Sequence, residues 1–472
     1  MARNESTEVL IVGSGVAGGL IAEHLLAAGV GPVTMLEAGR SVPMRDRRSW
    51  LDFVTAGTLP YSGLSDAAGD YTATGPTPWQ IEGGRLIARG GSTLHWGGWC
   101  PRMKPEDFEL ESRIGSGGLD WPFSYDDLQP YYERAERYLQ VAGDSHSQDP
   151  PRRRPYPFEA APFTLTDGVF VDALERLGAS AGHLPLARNA RRINGQAQCQ
   201  TYGTCDYCPV GARFTGDQPL DRLRSRQDRR HGRASFDLKL GAAARRILVR
   251  RKHQAQGVEY VDLATGAVKV IEAERIILCA GSYETPKLLL ASAGPSWPQG
   301  IGNDTDQVGR HLIAHPFFFA RGIAPTNPLR LQEELNFPTA TSRHWDTPEQ
   351  QAEGKFILTK AQTPFLDVAA QMAEGRSRAE IEAATAGAQT MDLFGSIQIF
   401  SAFENRVLPG NGTTRFGLPK TRIETPVPPF SPAFEQKILE RMNRVLAEMG
   451  YTPVFAGPFP QRGDHAMCTC RM

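Results

Sequence analysis

The 472-residue chain has no stretch of the ~18 to 20 uninterrupted apolar residues that a membrane-spanning helix needs. The nearest run, residues 9–29, is broken by glycines and by Glu23 and His24. The residues before it (Asn4, Glu5, Ser6, Thr7, Glu8) lack the positive charge of a secretory leader, and no twin-arginine pair precedes it. Neither sign of charge predominates: 52 Lys and Arg balance 52 Asp and Glu. That balance argues against a nucleic-acid-binding surface, which needs a one-signed field. The seven cysteines are odd in number and unevenly spread, which does not suit a disulfide framework. What remains is an ordinary globular composition, 40% hydrophobic and 22% charged, rich in glycine and long enough for about two or three domains. The local basic runs Arg152–Arg154 and Arg222–Arg233 read as solvated loops.

The chain opens as a βαβ unit. Residues 8–12 form a short β-branched run, 16–28 have helical character, and 32–36 read as a second strand. Residues 101–162 are loop-rich, with one helix expected at 125–139. Alternation over 249–278 suits a small antiparallel meander ending in a strand at 275–280, and 284–292 reads as a helix. Ser431 and Pro432 mark a helix start, Phe434, Ile438, Val445 and Met449 its apolar face, and Gly450 its stop. The alanine- and glutamate-rich region 345–395 reads as mostly helical or loop-like.

Gly13, Gly15 and Gly18 form G-x-G-x-x-G between that first strand and its helix. The first glycine permits the turn, the second lets backbone approach a pyrophosphate, and the third lets helix and strand pack closely. Glu37, at the end of the second strand, stands where an acid would bond ribose hydroxyls. Together these features predict dinucleotide binding; the loop alone does not separate FAD from NAD.

Two further segments bear on that choice. Residues 89–98 (RGGSTLHWGG) and 276–286 (IILCAGSYETP) resemble the two signature segments of the glucose–methanol–choline (GMC) oxidoreductases. Residues 308–316 (VGRHLIAHP) look like a third landmark, and 465–472 (HAMCTCRM) look like the family's H-x-x-G-T-x-R-M segment. The resemblance implies an α/β fold: a Rossmann-type FAD-binding domain with a second α+β substrate domain over the flavin ring. It implies an FAD-dependent oxidoreductase acting on CH–OH donors. Arg89, Gly90, Gly91, Ser92, Thr93 and Leu94 would wrap the flavin, and Gly281 would sit near the adenosine part. His95 follows the spacing at which pyranose 2-oxidase, a relative, carries its flavin covalently; the preferred reading here is a packing or flavin-contacting histidine, with a covalent histidyl–FAD left open.

Alcohol oxidation needs a base for the hydroxyl proton, and a neutral imidazole with a pKa near ~6.5 is suited to it. His465 matches the family's catalytic histidine. Cys468 stands where the family motif has glycine, and the sequence stops at Met472, before the family's second catalytic His or Asn. A fragment is the preferred reading of that stop.

Cys199, Cys205 and Cys208 lie within ten residues, the last followed by Pro209. Three close thiols suit iron–sulfur ligation, and inert free thiols are the plain alternative. The segment also resembles the cysteine segment of the iron–sulfur glucose, gluconate, fructose and sorbitol dehydrogenases, which implies a [3Fe–4S] cluster relaying electrons to a cytochrome or quinone. The division expected is 1–160 and 225–310 for FAD, 161–224 for the cysteine insertion, 311–464 for substrate, and 465–472 for the start of a catalytic segment. Implied partners are a sugar or polyol substrate, a small export-carrying subunit and a cytochrome c acceptor, with no nucleic acid and with membrane contact only through a partner. The implied place is the periplasmic face, with the cytoplasm as alternative. Rival readings are a peroxide-producing oxidase without a cluster and a truncated, catalytically impaired FAD-binding subunit.

Overall fold

The structure, a computed structural model, describes residues 5–76, 79–115, 119–200, 204–227, 235–250, 253–324, 338–350, 354–360, 368–386, 389–458 and 461–471. Strand Glu5–Val12 forms the centre of a six-stranded sheet. It pairs in parallel with Val33–Glu37 on one side and with Val268–Leu278 on the other, placing Val12 beside both Leu36 and Leu278. Phe236–Leu240 adds a further parallel strand. The antiparallel run Ala242–Arg250, Gln254–Asp262, Val268–Leu278 completes the sheet. The meander thus begins at Ala242, seven residues before the alternation in the sequence becomes legible.

Both faces of the central strands are covered, which is why they read as unbroken apolar runs. Val9, Ile11, Val33 and Met35 pack with Ala22, Leu220 and Leu223. Leu10, Val12 and Leu36 pack on the other face with Ile247, Val258 and Leu288. Helix Val16–Ala27 leaves the first strand at the glycine loop, and helix Gly281–Ala291 leaves Val268–Leu278 beside it. The two helix starts therefore lie side by side at the carboxyl ends of adjacent parallel strands.

Helix Tyr125–Leu139 forms where expected, held by a reciprocal cap in which Ser124 Oγ accepts from Asp127 N and Asp127 Oδ2 accepts from Ser124 N. The reading of Arg152 as solvated is corrected. Its side chain is 4% exposed, donates to Glu136 at 2.9 Å, and lies 3.4 Å from the centroid of the Tyr156 ring. Glu136 sits on the buried face of that helix and already pairs with Arg102 at 2.7 Å, so burying its carboxylate draws in cations. Arg153 and Arg154 remain exposed.

A second, four-stranded antiparallel sheet runs in the order Phe356–Lys360, Gln389–Ile397, Phe317–Ala324, Thr452–Pro458. Its buried face packs Phe318, Leu358 and Leu393 against Phe170 and Leu174 of helix Leu165–Arg176 and against Ile438, Met442 and Val445 of helix Pro432–Glu448. Ser431 caps the latter by accepting from Phe434 N at 3.2 Å, and Gly450 follows it at φ +88°. Two of these strands lie in the region read as helical or loop-like, which is therefore corrected. Phe356–Lys360 and Gln389–Ile397 are buried on most residues of both faces, so the period-two alternation that announces a half-exposed strand is missing. Short helices Val368–Ala373 and Arg378–Ala386 lie between them.

The hairpin Arg406–Thr413 and Pro419–Glu424 returns to the first layer, where Val407 and Ile423 pack with Trp79, Ile81 and Tyr283. Among the described residues no helix is long and apolar enough to cross a membrane.

Candidate active site

At the carboxyl ends of the parallel strands lies a cleft of about 310 Å³. Its floor includes Gly13, Ser14 and Gly15, one wall Leu36 and Glu37, and the opposite wall Gly281, Ser282 and Tyr283. Gly13 turns the chain at φ +102°, and a Cβ there would collide with the Cys279 carbonyl of the neighbouring strand. A Cβ on Gly18 would collide with the Gly13 carbonyl, whereas one on Gly15 would meet nothing within 4 Å because it faces the cleft. The helix that Gly15 opens has no side-chain cap and no acid in its first turn, so its leading N–H groups have no side-chain acceptor. Bare amides at a helix start, with apolar Leu36, Ile87, Ala242, Ala244 and Leu418 beside them, fit the pyrophosphate and adenosine of FAD.

Glu37 lines the cleft, but its carboxylate has a structural role that the motif does not announce. Oε2 accepts from Ser14 N at 3.0 Å and Ser14 Oγ at 2.6 Å, and Oε1 accepts from Gly39 N at 2.7 Å. Burial pushes its pKa up, against the opposing pull of these hydrogen bonds. Fully buried Ser14 also accepts from Gly90 N at 3.2 Å, joining the glycine loop to the 90–94 segment. Sequence reasoning passed over Ser14, which sits unmarked between two motif glycines.

The residues expected to wrap the flavin divide into two sets. Gly91 and Ser92 line the cleft, and Ser92 Oγ accepts from Leu86 N at 3.1 Å. Gly90, Thr93 and Leu94 face inward: Thr93 Oγ1 donates to Gly90 O and accepts from Gly216 N, both at 2.7 Å, and Leu94 is fully buried. Arg89 points away, to Asp221 at 2.5 Å. His95 is half-buried, edge-on to Tyr61 with ring centroids 6.0 Å apart, and is not among the residues lining the cleft. Gly281 lines it at φ +77°.

The segment 463–469 is sutured to the start of helix Gly281–Ala291. Ser282 Oγ donates to Ala466 O at 2.6 Å, Thr469 Oγ1 to Ser282 O at 2.7 Å, and Tyr283 OH to Gly463 O at 2.8 Å. Asp464 and Ala466 thereby line the cleft, and His465 between them is exposed at its edge. Its Nδ1 lies 3.1 Å from Nδ1 of His315, and its ring stands edge-on to Phe317 with centroids 5.1 Å apart. Burial and the neighbouring imidazole push the His315 pKa down to about 4, so this partner is neutral at ordinary pH. His315 belongs to a recognised landmark, yet only the fold brings it to His465.

Phe317 packs on Phe394 at 4.7 Å, and Trp99 stands edge-on to Phe394 at 5.8 Å. The Trp99 Nε1 donor is buried and has no acceptor among the described residues. Aromatic faces and an unpaired donor near the histidine pair suit a polyhydroxylated ligand.

The three cysteines are not assembled as expected. Among the described residues no three His, Cys, Asp or Glu side chains stand together as a metal-binding group. Cys199 is tied back to Asn189 O through its backbone N–H at 2.9 Å. The 204–211 turn is organised by Tyr207, fully buried, whose hydroxyl donates to Pro43 O at 2.6 Å and accepts from Asp46 N at 2.8 Å. Cys208 Sγ accepts from Ala212 N at 3.2 Å. As the residues stand, they do not fit a three-thiolate cluster.

The family profile for GMC oxidoreductase matches residues 84–317. The large subunit of fructose dehydrogenase from Gluconobacter japonicus is 30% identical over 333 residues, 66% of this chain and 59% of that protein. The 6'''-hydroxyparomomycin C oxidase of Streptomyces lividus is 29% identical over 340 residues, 69% of this chain and 57% of that protein. The chain thus spans a little under three fifths of the length of these relatives. Pyridoxine 4-oxidase from Mesorbium loti has the same fold, with a TM-score of 0.56 at 18% identity over 94% of this chain and 80% of that one.

Proposed function

Because the chain belongs to the GMC oxidoreductases, we propose that it holds FAD in the cleft and oxidises a CH–OH group of a sugar, glycoside or polyol at the His465 edge. The observation that carries this reading is continuity. One cleft runs from the glycine loop at Gly13–Gly15, past Gly91, Ser92 and Gly281, to Asp464 and Ala466 on either side of His465.

The backbone at Gly15 and the first turn of its helix would take the pyrophosphate and Gly91 and Ser92 the ring side, while Glu37 braces the loop through Ser14. Bound flavin supplies a two-electron acceptor for hydride from the substrate carbon. His465 accepts the hydroxyl proton at Nε2, provided the proton on its other nitrogen is held by His315. Phe317, Phe394 and Trp99 would receive the carbon skeleton and one hydroxyl of the substrate. Two relatives with names that denote action on a sugar and on an aminoglycoside support that substrate class.

The finer reading, in which electrons leave through a [3Fe–4S] cluster on Cys199, Cys205 and Cys208 to a cytochrome docked with a partner subunit, is supported by cysteine spacing and by the "large subunit" in one relative's name. The arrangement of the three thiols stands against it. Iron analysis and a low-temperature EPR spectrum of the purified protein decide it. The central reading is tested by His465→Ala. Substrate should no longer reduce bound flavin while FAD stays in place; undiminished reduction would reject His465 as the base.

A further inference from the structure

The segment following the cysteine turn is zippered to the loop that borders the flavin side of the cleft. Trp96 Nε1 donates to Phe214 O at 2.8 Å, Gly216 N donates to Thr93 Oγ1 at 2.7 Å, and a Cβ on Gly216 would press within 2.9 Å of Thr93 Oγ1. Arg213 anchors this contact. Its Nη1 donates to Trp96 O and its Nη2 to Leu94 O at 2.6 Å, with a longer bond from Nη2 to Asp206 O at 3.3 Å.

Arg213 is 2% exposed, and every one of those partners is a neutral backbone carbonyl. Among the described residues its hydrogen bonds go to no carboxylate, and its buried Nε has no acceptor. Burial pushes its pKa down, and the nearby Tyr61, Cys205, Cys208 and Asp206 pull it the other way without overcoming that cost. A buried charge so placed is costly unless something negative comes near it. Two other guanidiniums with little exposure are instead bonded directly to a carboxylate: Arg102 to Glu136, and Arg85 to Asp66.

We infer that Arg213 is a positioning residue that holds the 91–96 loop against the flavin and places a buried positive charge, bonded only to carbonyls, on the side where the isoalloxazine gains negative charge on reduction. The inference rests on FAD occupying the cleft. Leu94 O closes the single helical turn that Gly91 opens, and Gly91 and Ser92 line the cleft. The guanidinium is thus separated from the ring side of the cleft by one short turn and one hydrogen bond, roughly 10 Å. At that range, with an effective dielectric constant near 20, one unit charge changes an equilibrium that creates an anion by on the order of tenfold. A purely mechanical cap on the end of the turn would leave that equilibrium alone.

Sulfite is a suitable probe because its adduct with oxidised flavin is anionic and forms without substrate. The test titrates sulfite into FAD-loaded wild type, Arg213→Gln and Arg213→Lys, following loss of flavin absorbance, alongside the reduction potential of the bound flavin. Arg213→Gln should bind sulfite about tenfold more weakly and have a lower potential, while Arg213→Lys should stay within about threefold of wild type. Unchanged sulfite affinity in FAD-loaded Arg213→Gln would overturn the inference and leave Arg213 a strut. Should the Gln variant fail to fold, a tenfold loss in Arg213→Lys, which keeps the charge, would overturn it equally. A wild type that takes up no FAD would instead sink the reading of the cleft.

Discussion

His315 Nδ1 lies 3.1 Å from His465 Nδ1, although 150 residues separate them in the chain. A single proton lies between the two nitrogens, so one ring donates and the other accepts. If His465 donates, its Nε2 carries the lone pair and is basic; if His315 donates, His465 is locked in the tautomer that cannot accept the alcohol proton at Nε2. The first arrangement makes His315 the group that selects the working tautomer. His315→Leu should lower the rate of flavin reduction by roughly tenfold or more with little change in KM. His315→Asn, which can place an amide oxygen near the lost Nδ1, should recover much of that loss. Rapid-mixing measurements of flavin reduction check both, and a Leu variant as fast as wild type would remove His315 from the mechanism.

The same pair predicts a stability profile. Burial and His465 depress the folded-state pKa of His315 to about 4, whereas an unfolded histidine titrates near ~6.5. Between those values the unfolded chain binds the extra proton and the folded chain does not. Stability from this site is therefore complete above about pH 6.5 and is lost progressively as pH falls toward about 4. Melting temperatures of wild type and His315→Asn should diverge little at neutral pH beyond a constant offset. On acidification the wild type should fall more steeply, and parallel curves would show that the site is not held neutral.

Two motif glycines should give opposite phenotypes. Gly15 has φ −65°, a conformation open to any residue, and a Cβ there points into empty cleft. Gly15→Ala should leave the melting temperature of the cofactor-free protein nearly unchanged but weaken FAD binding by on the order of tenfold or more, because the methyl stands where the pyrophosphate must approach the amides. A Cβ on Gly18 collides with backbone, the Gly13 carbonyl, which cannot move without opening the strand–helix contact. Gly18→Ala should cost about 1 to 3 kcal/mol of stability and lose FAD as a consequence. Calorimetry of the cofactor-free proteins separates the two; equal destabilisation would contradict the assignment.

The contrast shows what was legible in the sequence. The glycine loop, the order of the landmarks and the capped helix at 432–448 are local patterns, set by backbone sterics and helical periodicity within a few residues. The strands Phe356–Lys360 and Gln389–Ile397 were not legible, because burial on both faces erases alternation. Site residues followed the same division. Gly13, Gly15, Gly91 and Gly281 are found at the cleft because each acts through its own backbone. Arg89, Thr93 and Leu94 share the motif but support it from behind, and spacing cannot say which way a side chain turns. His315, Ser14 and Arg213 act through partners distant in sequence, which only the fold supplies.

Cys468 offers a test of a local departure from the family pattern. It stands at the position of the motif glycine and has φ +73°, in the left-handed region. Its neighbours hold it there: Met467 N donates to Ile313 O at 2.9 Å, Thr469 Oγ1 donates to Ser282 O at 2.7 Å, and Arg471 N donates to Cys468 O at 3.2 Å. The chain cannot relax without breaking the suture that carries His465. An L-residue in that region costs about 1 to 2 kcal/mol, while glycine adds back about 0.5 to 1 kcal/mol through its freer unfolded state. Cys468→Gly should therefore raise stability by roughly 0.5 to 1 kcal/mol, and Cys468→Ala, which keeps the Cβ, should bring no such gain. Paired denaturant titrations measure the difference. If the alanine variant gained as much as the glycine variant, the benefit would come from removing the half-buried thiol rather than from relieving the backbone.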